Sequence, residues 1–149
     1  MKILDVSGGR RMMWFDQRNP LCTFLDIRQE MEPDVVADST QPLPFDKESF
    51  DLVVFDPPHL STGRGARMAK TYGHMPAAKC RQLVEDTARQ IRVVLKPDGL
   101  LCFRWCDHTQ RLERILGLLH GFEPLFGHKV AERNRRRSSL YWIVLRRTT

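Results

Sequence analysis

Short apolar runs alternate with polar, helix-like stretches along most of the chain. Such alternation is typical of a parallel sheet whose strands are joined by helices. Strand-like runs lie at residues 2–6, 21–25, 35–37, 50–55, 100–105, 123–130 and 140–145. The last two flank an arginine-rich segment, which indicates an antiparallel pair. The pattern predicts an α/β fold, a Rossmann-like, doubly wound, mostly parallel seven-stranded sheet with an antiparallel C-terminal hairpin.

Two stretches have the apolar spacing of helices. Residues 77–95 carry one apolar face, and the Lys-Pro-Asp-Gly sequence that follows ends this helix. Residues 109–120 carry a second apolar stripe, with Thr109 as the N-cap and Gly121 at the C-terminal end. The segment after the first strand, residues 10–17, offers only about two helical turns.

Length and composition limit the class of protein. The 149 residues correspond to a single domain, 1–149, and 42% hydrophobic residues are enough for a core. The longest apolar run is far below the roughly 20 residues that span a bilayer. The chain opens directly in a strand-like segment with no signal peptide, so we expect a cytoplasmic protein. The four cysteines form no CxxC pair, which favours reduced thiols and no metal site.

Aspartates stand at four predicted strand ends. Asp5 precedes the Ser7-Gly8-Gly9 turn, and Asp26, Asp38 and Asp56 each follow a later strand. Ligands of open parallel sheets bind at the carboxyl ends of the strands, and the two glycines permit a close backbone approach. The Gly-Gly pair also suits an ordinary tight turn, and a strand-end aspartate also caps turns. The series predicts a binding site more strongly than any one member does.

The Asp56-Pro57-Pro58-His59 tetrapeptide carries the most specific signal. Two prolines fix φ twice and remove two backbone N–H donors, so the loop is rigid and presents acceptors only. A carboxylate and a carbonyl at fixed geometry suit an –NH2 group, whose nitrogen lone pair they aim at an electrophile. The alternative is a simple turn after a buried strand. No cysteine lies in the loop, which argues against a thiolate nucleophile there.

These elements together resemble the class I S-adenosylmethionine-dependent methyltransferases. The resemblance rests on Asp5-Val6-Ser7-Gly8-Gly9, Asp26, Ala37-Asp38-Ser39, Leu43-Pro44-Phe45, Asp56-Pro57-Pro58-His59 and Leu95-Lys96-Pro97-Asp98-Gly99-Leu100. The Asp-Pro-Pro-aromatic tetrapeptide resembles the amino-methylating branch, especially the N6-adenine methyltransferases of DNA and RNA. The compact form is similar to small phage and prophage methyltransferases. The likeness covers roughly residues 3–145.

The resemblance implies a role for each motif. Asp5 and the Ser7-Gly8-Gly9 turn would face the methionine part of S-adenosylmethionine, Asp26 would hold its ribose, and Asp38-Ser39 its adenine. Asp56 with the Pro57 carbonyl would bind the target amine, and His59 would stack on the target base. The sequence departs from the family in Ser7, where many members have glycine, in its short first helix, and in lacking the usual recognition domain.

Basic residues near the predicted site, together with the net charge of +6, favour a nucleic-acid partner. Residues 61–76, just after the tetrapeptide, are predicted to form a mobile loop or lid whose cations hold phosphates. A second cluster lies at the predicted hairpin tip. The predicted phosphate-binding residues are Arg64, Arg67, Lys70, Arg133, Arg135, Arg136 and Arg137. Both segments would equally serve as solvated polar loops.

Several readings remain open on the sequence. The first is direct methyl transfer to a base amine, with adenine N6 favoured over cytosine N4, on a single-stranded or flipped-out base. A small molecule or a protein could be the acceptor instead. The second is a non-catalytic, nucleic-acid-binding subunit of a heterodimer. A homodimer, or a partner subunit that supplies specificity, is compatible with the sequence.

Overall fold

The architecture comes from a computed structural model that describes residues 1–58, 75–107, 109–130 and 139–148. Its sheet has seven strands in the order β3-β2-β1-β4-β5-β7-β6. The strands are β1 (Ile3–Asp5), β2 (Cys22–Asp26), β3 (Val35–Val36), β4 (Phe50–Phe55), β5 (Leu95–Cys106), β6 (Phe122–Val130) and β7 (Leu140–Arg147). The predicted fold class is confirmed, with strand bounds that shift mostly by one or two residues.

The strand order places the predicted binding site at the carboxyl ends of the central strands, which form one edge of the sheet. β1 pairs in parallel with both β2 and β4, and β4 pairs in parallel with β5. β7 runs antiparallel to both of its neighbours, β5 and β6. The order reverses between β1 and β4, and this is the switch point where ligands of such sheets bind. The loops that follow β1, β2, β3 and β4 all emerge at this edge.

One face of the sheet carries the main core. Helix α1 (Ala77–Val94) ends one residue earlier than predicted, and it buries Val84, Ala88 and Ile91 against this face. Alternate strand residues point to the same side, so Phe103 and Trp105 of β5 meet the helix and are fully buried. In the described part of the chain, no helix is long and apolar enough to cross a membrane.

The predicted second helix is much shorter than residues 109–120. Helix α2 spans only Leu112–Leu116. The backbone at Arg111 is extended, and the buried indole of Trp105 donates a 3.0 Å hydrogen bond to the Gln110 carbonyl. This tertiary contact keeps the chain ahead of Leu112 extended, so Thr109 does not act as a helix N-cap. β5 begins at Leu95, so the predicted Lys-Pro-Asp-Gly stop is already strand.

The expected helix of residues 10–17 is absent, and the described segment between β1 and β2 forms turns instead. Trp14 anchors this segment, because its indole Nε1 donates a 2.8 Å hydrogen bond to Asp5. Its ring packs edge-on against Phe24 with 5.2 Å between centroids. Met13 and Trp14 thereby cover the small second cluster, which contains Ile3, Cys22, Phe24 and Val54.

We expect Trp14→Phe to destabilise the protein more than its loss of apolar area suggests. The substitution keeps a ring against Phe24 but removes the donor to a buried carboxylate, which costs about 1–3 kcal/mol of unfolding free energy. Urea denaturation measures this. Trp142→Phe is the control, because the partly exposed Trp142 has no indole N–H bond in the described structure. Equal losses in the two variants would contradict the anchoring role.

Candidate active site

Asp5 is the buried centre of the candidate site. Its side chain has no solvent exposure. Oδ1 accepts hydrogen bonds from the Ser7 N–H at 2.9 Å and the Ser7 hydroxyl at 3.1 Å, and Oδ2 accepts from Trp14. Burial raises the pKa of Asp5 above its ordinary value, although the bonds from Trp14 and Ser7 act in the opposite direction. Asp5 therefore organises its own loop, with its oxygens turned to protein donors.

Ser7 joins the first loop to the predicted catalytic loop. Its Oγ accepts a 2.8 Å hydrogen bond from the Asp56 N–H while donating to Asp5. A glycine at position 7, as in many proteins the sequence resembles, could not make this bridge. Ser7, which stands where many of those proteins have glycine, thus fixes the backbone at the start of the Asp-Pro-Pro sequence.

The glycine turn is held between two strand ends. The Gly8 N–H donates to the Leu25 carbonyl at 2.9 Å, and the Gly9 N–H donates to Asp26 Oδ2 at 2.9 Å. Gly9 has a φ of 47°, in the left-handed region where a side chain adds strain. The turn therefore brings the Gly9 N–H to the carboxylate at the end of β2.

Asp26 is already saturated by protein donors. Oδ1 accepts from the Arg28 N–H and Nε, both at 2.9 Å, and Oδ2 accepts from Gly9 and from Arg28 Nη2 at 3.0 Å. Burial opposes ionisation here, but the hydrogen bonds and charge of Arg28, with the Gly9 N–H, lower the pKa of Asp26 below its ordinary value. The predicted ribose acceptor is thus an ionised carboxylate with a guanidinium across it.

Asp38 and Ser39 follow β3 and diverge. Asp38 Oδ1 accepts from the backbone and hydroxyl of Thr40 at 2.9 and 2.7 Å, and no described residue bonds to Oδ2. Ser39 points its hydroxyl at Thr87 of α1, 3.1 Å away. The Asp38 carboxylate keeps an acceptor atom at the binding edge, whereas the Ser39 side chain packs against the helix.

Asp56 ends β4 beside an arginine that sequence analysis missed. Arg104 Nη1 lies 2.6 Å from Asp56 Oδ2, and both side chains are largely buried, at 28% and 18% exposure. The guanidinium carbon lies 5.7 Å from the ring centre of Trp142. The signal was in the strand register: Phe55 pairs with Phe103, so Asp56 and Arg104 come next along both strands.

The second proline of the loop is anchored from the helix. The Cys80 thiol, in the first turn of α1, donates a 3.1 Å hydrogen bond to the Pro58 carbonyl. Burial raises the pKa of Cys80, which keeps the donor proton on sulfur. Asp56, Pro57 and Pro58 are therefore held by contacts from three elements: the β1 loop, β5 and α1.

Several predicted site residues lie outside the described part of the chain. They are His59, Arg64, Arg67, Lys70, Arg133, Arg135, Arg136 and Arg137. Their roles stay predictions. Among the described residues, no group of three or more His, Cys, Asp or Glu side chains is arranged to hold a metal ion.

Comparisons with known proteins identify the fold. No protein-family model and no curated protein matches the sequence. The PH0226 protein of Pyrococcus horikoshii OT3 shares 17% identity at a TM-score of 0.68, covering 99% of this chain and 82% of that one. N-methyltransferase NodS of Bradyrhizobium japonicum WM9 shares 13% identity at a TM-score of 0.65, covering 99% and 86%.

A third similar structure is the 1,6-didemethyltoxoflavin-N1-methyltransferase of Burkholderia thailandensis. It shares 16% identity at a TM-score of 0.63, covering 99% of this chain and 71% of that one. Identities this low establish the fold alone. The chain has the Rossmann-like α/β fold that these two methyltransferases share.

We expect the carboxyls of Asp5 and Asp26 to titrate on opposite sides of the ordinary aspartate pKa. Burial dominates at Asp5 and raises its pKa, whereas the donors around Asp26 lower its pKa. The stabilisation from Asp26 is then present above its unfolded pKa and lost as pH falls through its folded value. The effect of Asp5 on folding stability has the opposite sign: because its folded pKa is raised, stability is lost as pH rises above the unfolded pKa. Carboxyl carbon NMR measures both midpoints; the reverse order would contradict this account.

Ser7→Ala should loosen the start of the catalytic loop. The substitution removes the hydroxyl that accepts the Asp56 N–H, so we expect amide hydrogen exchange at Asp56 to rise by roughly tenfold, as for the loss of one net hydrogen bond. NMR-detected exchange reports this amide directly. Ser7→Thr, which retains a hydroxyl, is the matched control. Unchanged protection in Ser7→Ala would show that the bridge does not hold the loop.

Proposed function

We propose that this protein is an S-adenosylmethionine-dependent methyltransferase that methylates an exocyclic amine of a nucleic-acid base, with adenine N6 as the acceptor. The observation that carries the proposal is the Asp56-Pro57-Pro58 loop at the switch point of the sheet. It is fixed through Ser7, Arg104 and Cys80, and it stands beside the strand-end carboxylates Asp26 and Asp38. Rigid acceptors at that edge suit the positioning of an amine.

The residues at the edge fit the cofactor. Carboxylates at the ends of β2 and β3 are acceptors, as ribose hydroxyls and an adenine amine require, and the left-handed turn at Gly9 brings the backbone close to Asp26. One similar structure, NodS, was determined with S-adenosylhomocysteine, and so was the 1,6-didemethyltoxoflavin-N1-methyltransferase. When bound, S-adenosylmethionine would supply an electrophilic methyl group. Asp26 would hold the ribose and Asp38 the adenine.

The chain's own residues would contribute by positioning the acceptor amine. The Asp56 carboxylate and the Pro57 carbonyl are acceptors for the two amine hydrogens, and Arg104 restricts the carboxylate to one orientation. The thiol of Cys80 restrains the loop from its far end. His59 would stack on the target base. Such restraint limits the acceptor nitrogen to a narrow range of directions, which is the main contribution expected of a transfer without a covalent intermediate.

Positive charge at the same edge supports a polyanionic acceptor. The charged residues that line a pocket of about 200 Å³ beside Gly9 are three arginines, Arg10, Arg11 and Arg18, and one acid, Glu32. Arg11 is committed to the fold, because it donates to the carbonyls of Gln17 and Glu32, whereas Arg10 and Arg18 are exposed. Two exposed guanidinium groups next to the proposed cofactor site are suited to phosphate oxygens.

A small-molecule acceptor is the second candidate function. One similar protein is a 1,6-didemethyltoxoflavin-N1-methyltransferase, and its structure holds the small molecule 1,6-didemethyltoxoflavin. The amine-positioning loop would serve either acceptor class. A nucleic acid is favoured here by the net charge of +6 and the exposed arginines at the binding edge.

Incubation with S-adenosylmethionine and mixed DNA and RNA, followed by nucleoside mass spectrometry, tests the proposal. We expect N6-methyladenine, formed faster on single-stranded than on duplex substrate because no base pair has to open. Asp56→Ala should lower the rate by about 100-fold or more, since a misplaced acceptor costs that much. Wild-type levels of product from Asp56→Ala would remove Asp56 from the mechanism.

Lys79→Ala is the matched control for this assay. Lys79 is the sequence neighbour of Cys80, but it is exposed on α1 and, in the described structure, makes no hydrogen bond or ion pair to Asp56, Pro57 or Pro58, so we expect an unchanged rate. Cofactor binding without methylated nucleosides would exclude the nucleic-acid acceptor and favour the small-molecule one. Absence of cofactor binding would overturn the methyltransferase proposal itself.

A further inference from the structure

Every acceptor position of the Asp26 carboxylate is occupied from within the chain. A carboxylate offers about four lone-pair sites. Two are filled by the backbone N–H groups of Gly9 and Arg28, and two by the Arg28 guanidinium through Nε and Nη2, at 2.9 and 3.0 Å. A ribose diol brings two further O–H donors. The carboxylate can accept them only after other donors leave.

Of the four donors to Asp26, the two that can leave are Nε and Nη2 of the Arg28 guanidinium. The two backbone N–H groups are fixed by the turn at Gly9 and by the chain entering residues 29–31, which form a short 3-10 helix. The Arg28 side chain is attached to the same segment through rotatable bonds and is 32% exposed, whereas Asp26 is only 7% exposed. Rotation of Arg28 toward solvent would open two acceptor positions without moving the backbone.

Replacing the Arg28 guanidinium with a ribose diol on Asp26 exchanges stronger hydrogen bonds for weaker ones. The bidentate bond between Arg28 and Asp26 joins two charges, and charge-assisted hydrogen bonds are roughly twice as strong as neutral ones. A ribose diol replaces them with two neutral donors on the same carboxylate. Cofactor binding at Asp26 therefore has to displace the stronger internal partner, and the measured affinity is reduced by that competition.

We propose that Arg28 is an internal competitor of the cofactor, a side chain that occupies the ribose-binding positions of Asp26 and sets the cofactor affinity by being displaced. The proposal rests on the cofactor placement given under the proposed function. It assigns Arg28 a role opposite to that of a binding residue, so removal of its side chain should tighten binding.

Calorimetric titration with three uncharged or net-neutral probes tests this: S-adenosylhomocysteine, adenosine and 2′,3′-dideoxyadenosine. We expect Arg28→Ala to bind the first two about tenfold more tightly than the wild type, in line with the loss of one charge-assisted competitor. Affinity for the dideoxy nucleoside should not change, because it lacks the hydroxyls that compete with Arg28. A change confined to ligands that carry the diol would not follow from a merely structural role.

Three further variants make the result decisive. Arg28→Met keeps the aliphatic stem and should reproduce the gain if Arg28→Ala proves poorly folded. Arg114→Ala removes the same charge from the exposed surface of α2 and should leave all three affinities unchanged. Asp26→Asn should lose most of the preference for adenosine over the dideoxy nucleoside, because the acceptor is weakened.

The outcomes separate this inference from the proposed function. Equal or weaker adenosine binding by both Arg28 variants, with clear binding by the wild type, would overturn the competitor role and leave the cofactor in place. An equal gain for the dideoxy nucleoside would also overturn it. Binding of none of the probes by any variant would overturn both this inference and the cofactor proposal.

Discussion

A carboxylate with no access to water must be fully satisfied by protein donors, and Asp5 is such a group. Its three donors come from Ser7 and Trp14. The same Ser7 hydroxyl accepts a hydrogen bond from the Asp56 N–H and so also restrains the loop after β4. The geometry of the loops after β1 and β4 therefore depends on one buried group, and a substitution at any of the four residues should be felt at the others.

The same bond network explains how the sheet tolerates a missing helix. Residues 6–21 form turns, and Trp14 covers the strands that a helix would otherwise cover. Farther along that face, Leu100 of β5 and Phe126 of β6 are 37% and 69% exposed. The fold is thus well packed on the side of α1 and thinly covered on the other.

Both proposed ligand contacts involve a carboxylate that an arginine already holds. Arg104 on Asp56 and Arg28 on Asp26 make contacts of similar length, but their surroundings differ. Arg104 lies on the adjacent strand beside Trp142, which suits a permanent restraint on orientation. Arg28 lies in the loop directly after β2, and we propose that the cofactor displaces it. The same pairing can therefore restrain one side chain and compete for another.

The local sequence determined the features that depend on short-range pattern. The apolar runs predicted the parallel sheet and its antiparallel hairpin, and the spacing of apolar residues predicted α1 to within a residue. The sequence also predicted the aspartates at the strand ends, because each lies at the last residue of its strand or within two residues after it. The proline pair also marks a rigid loop wherever it occurs.

Only the tertiary structure decided the partners of those aspartates and the lengths of the weaker helices. Arg104 lies 48 residues from Asp56, and Gly9 lies 17 residues from Asp26. No periodicity links such positions until the strands pair. The Gln110 carbonyl accepts a hydrogen bond from the Trp105 indole instead of taking part in the helix that the local sequence favours. A buried hydrogen bond of this kind outweighs the small helix propensity of one turn. The sequence placed the carboxylates at one edge, and strand pairing then determined which of them are already bound.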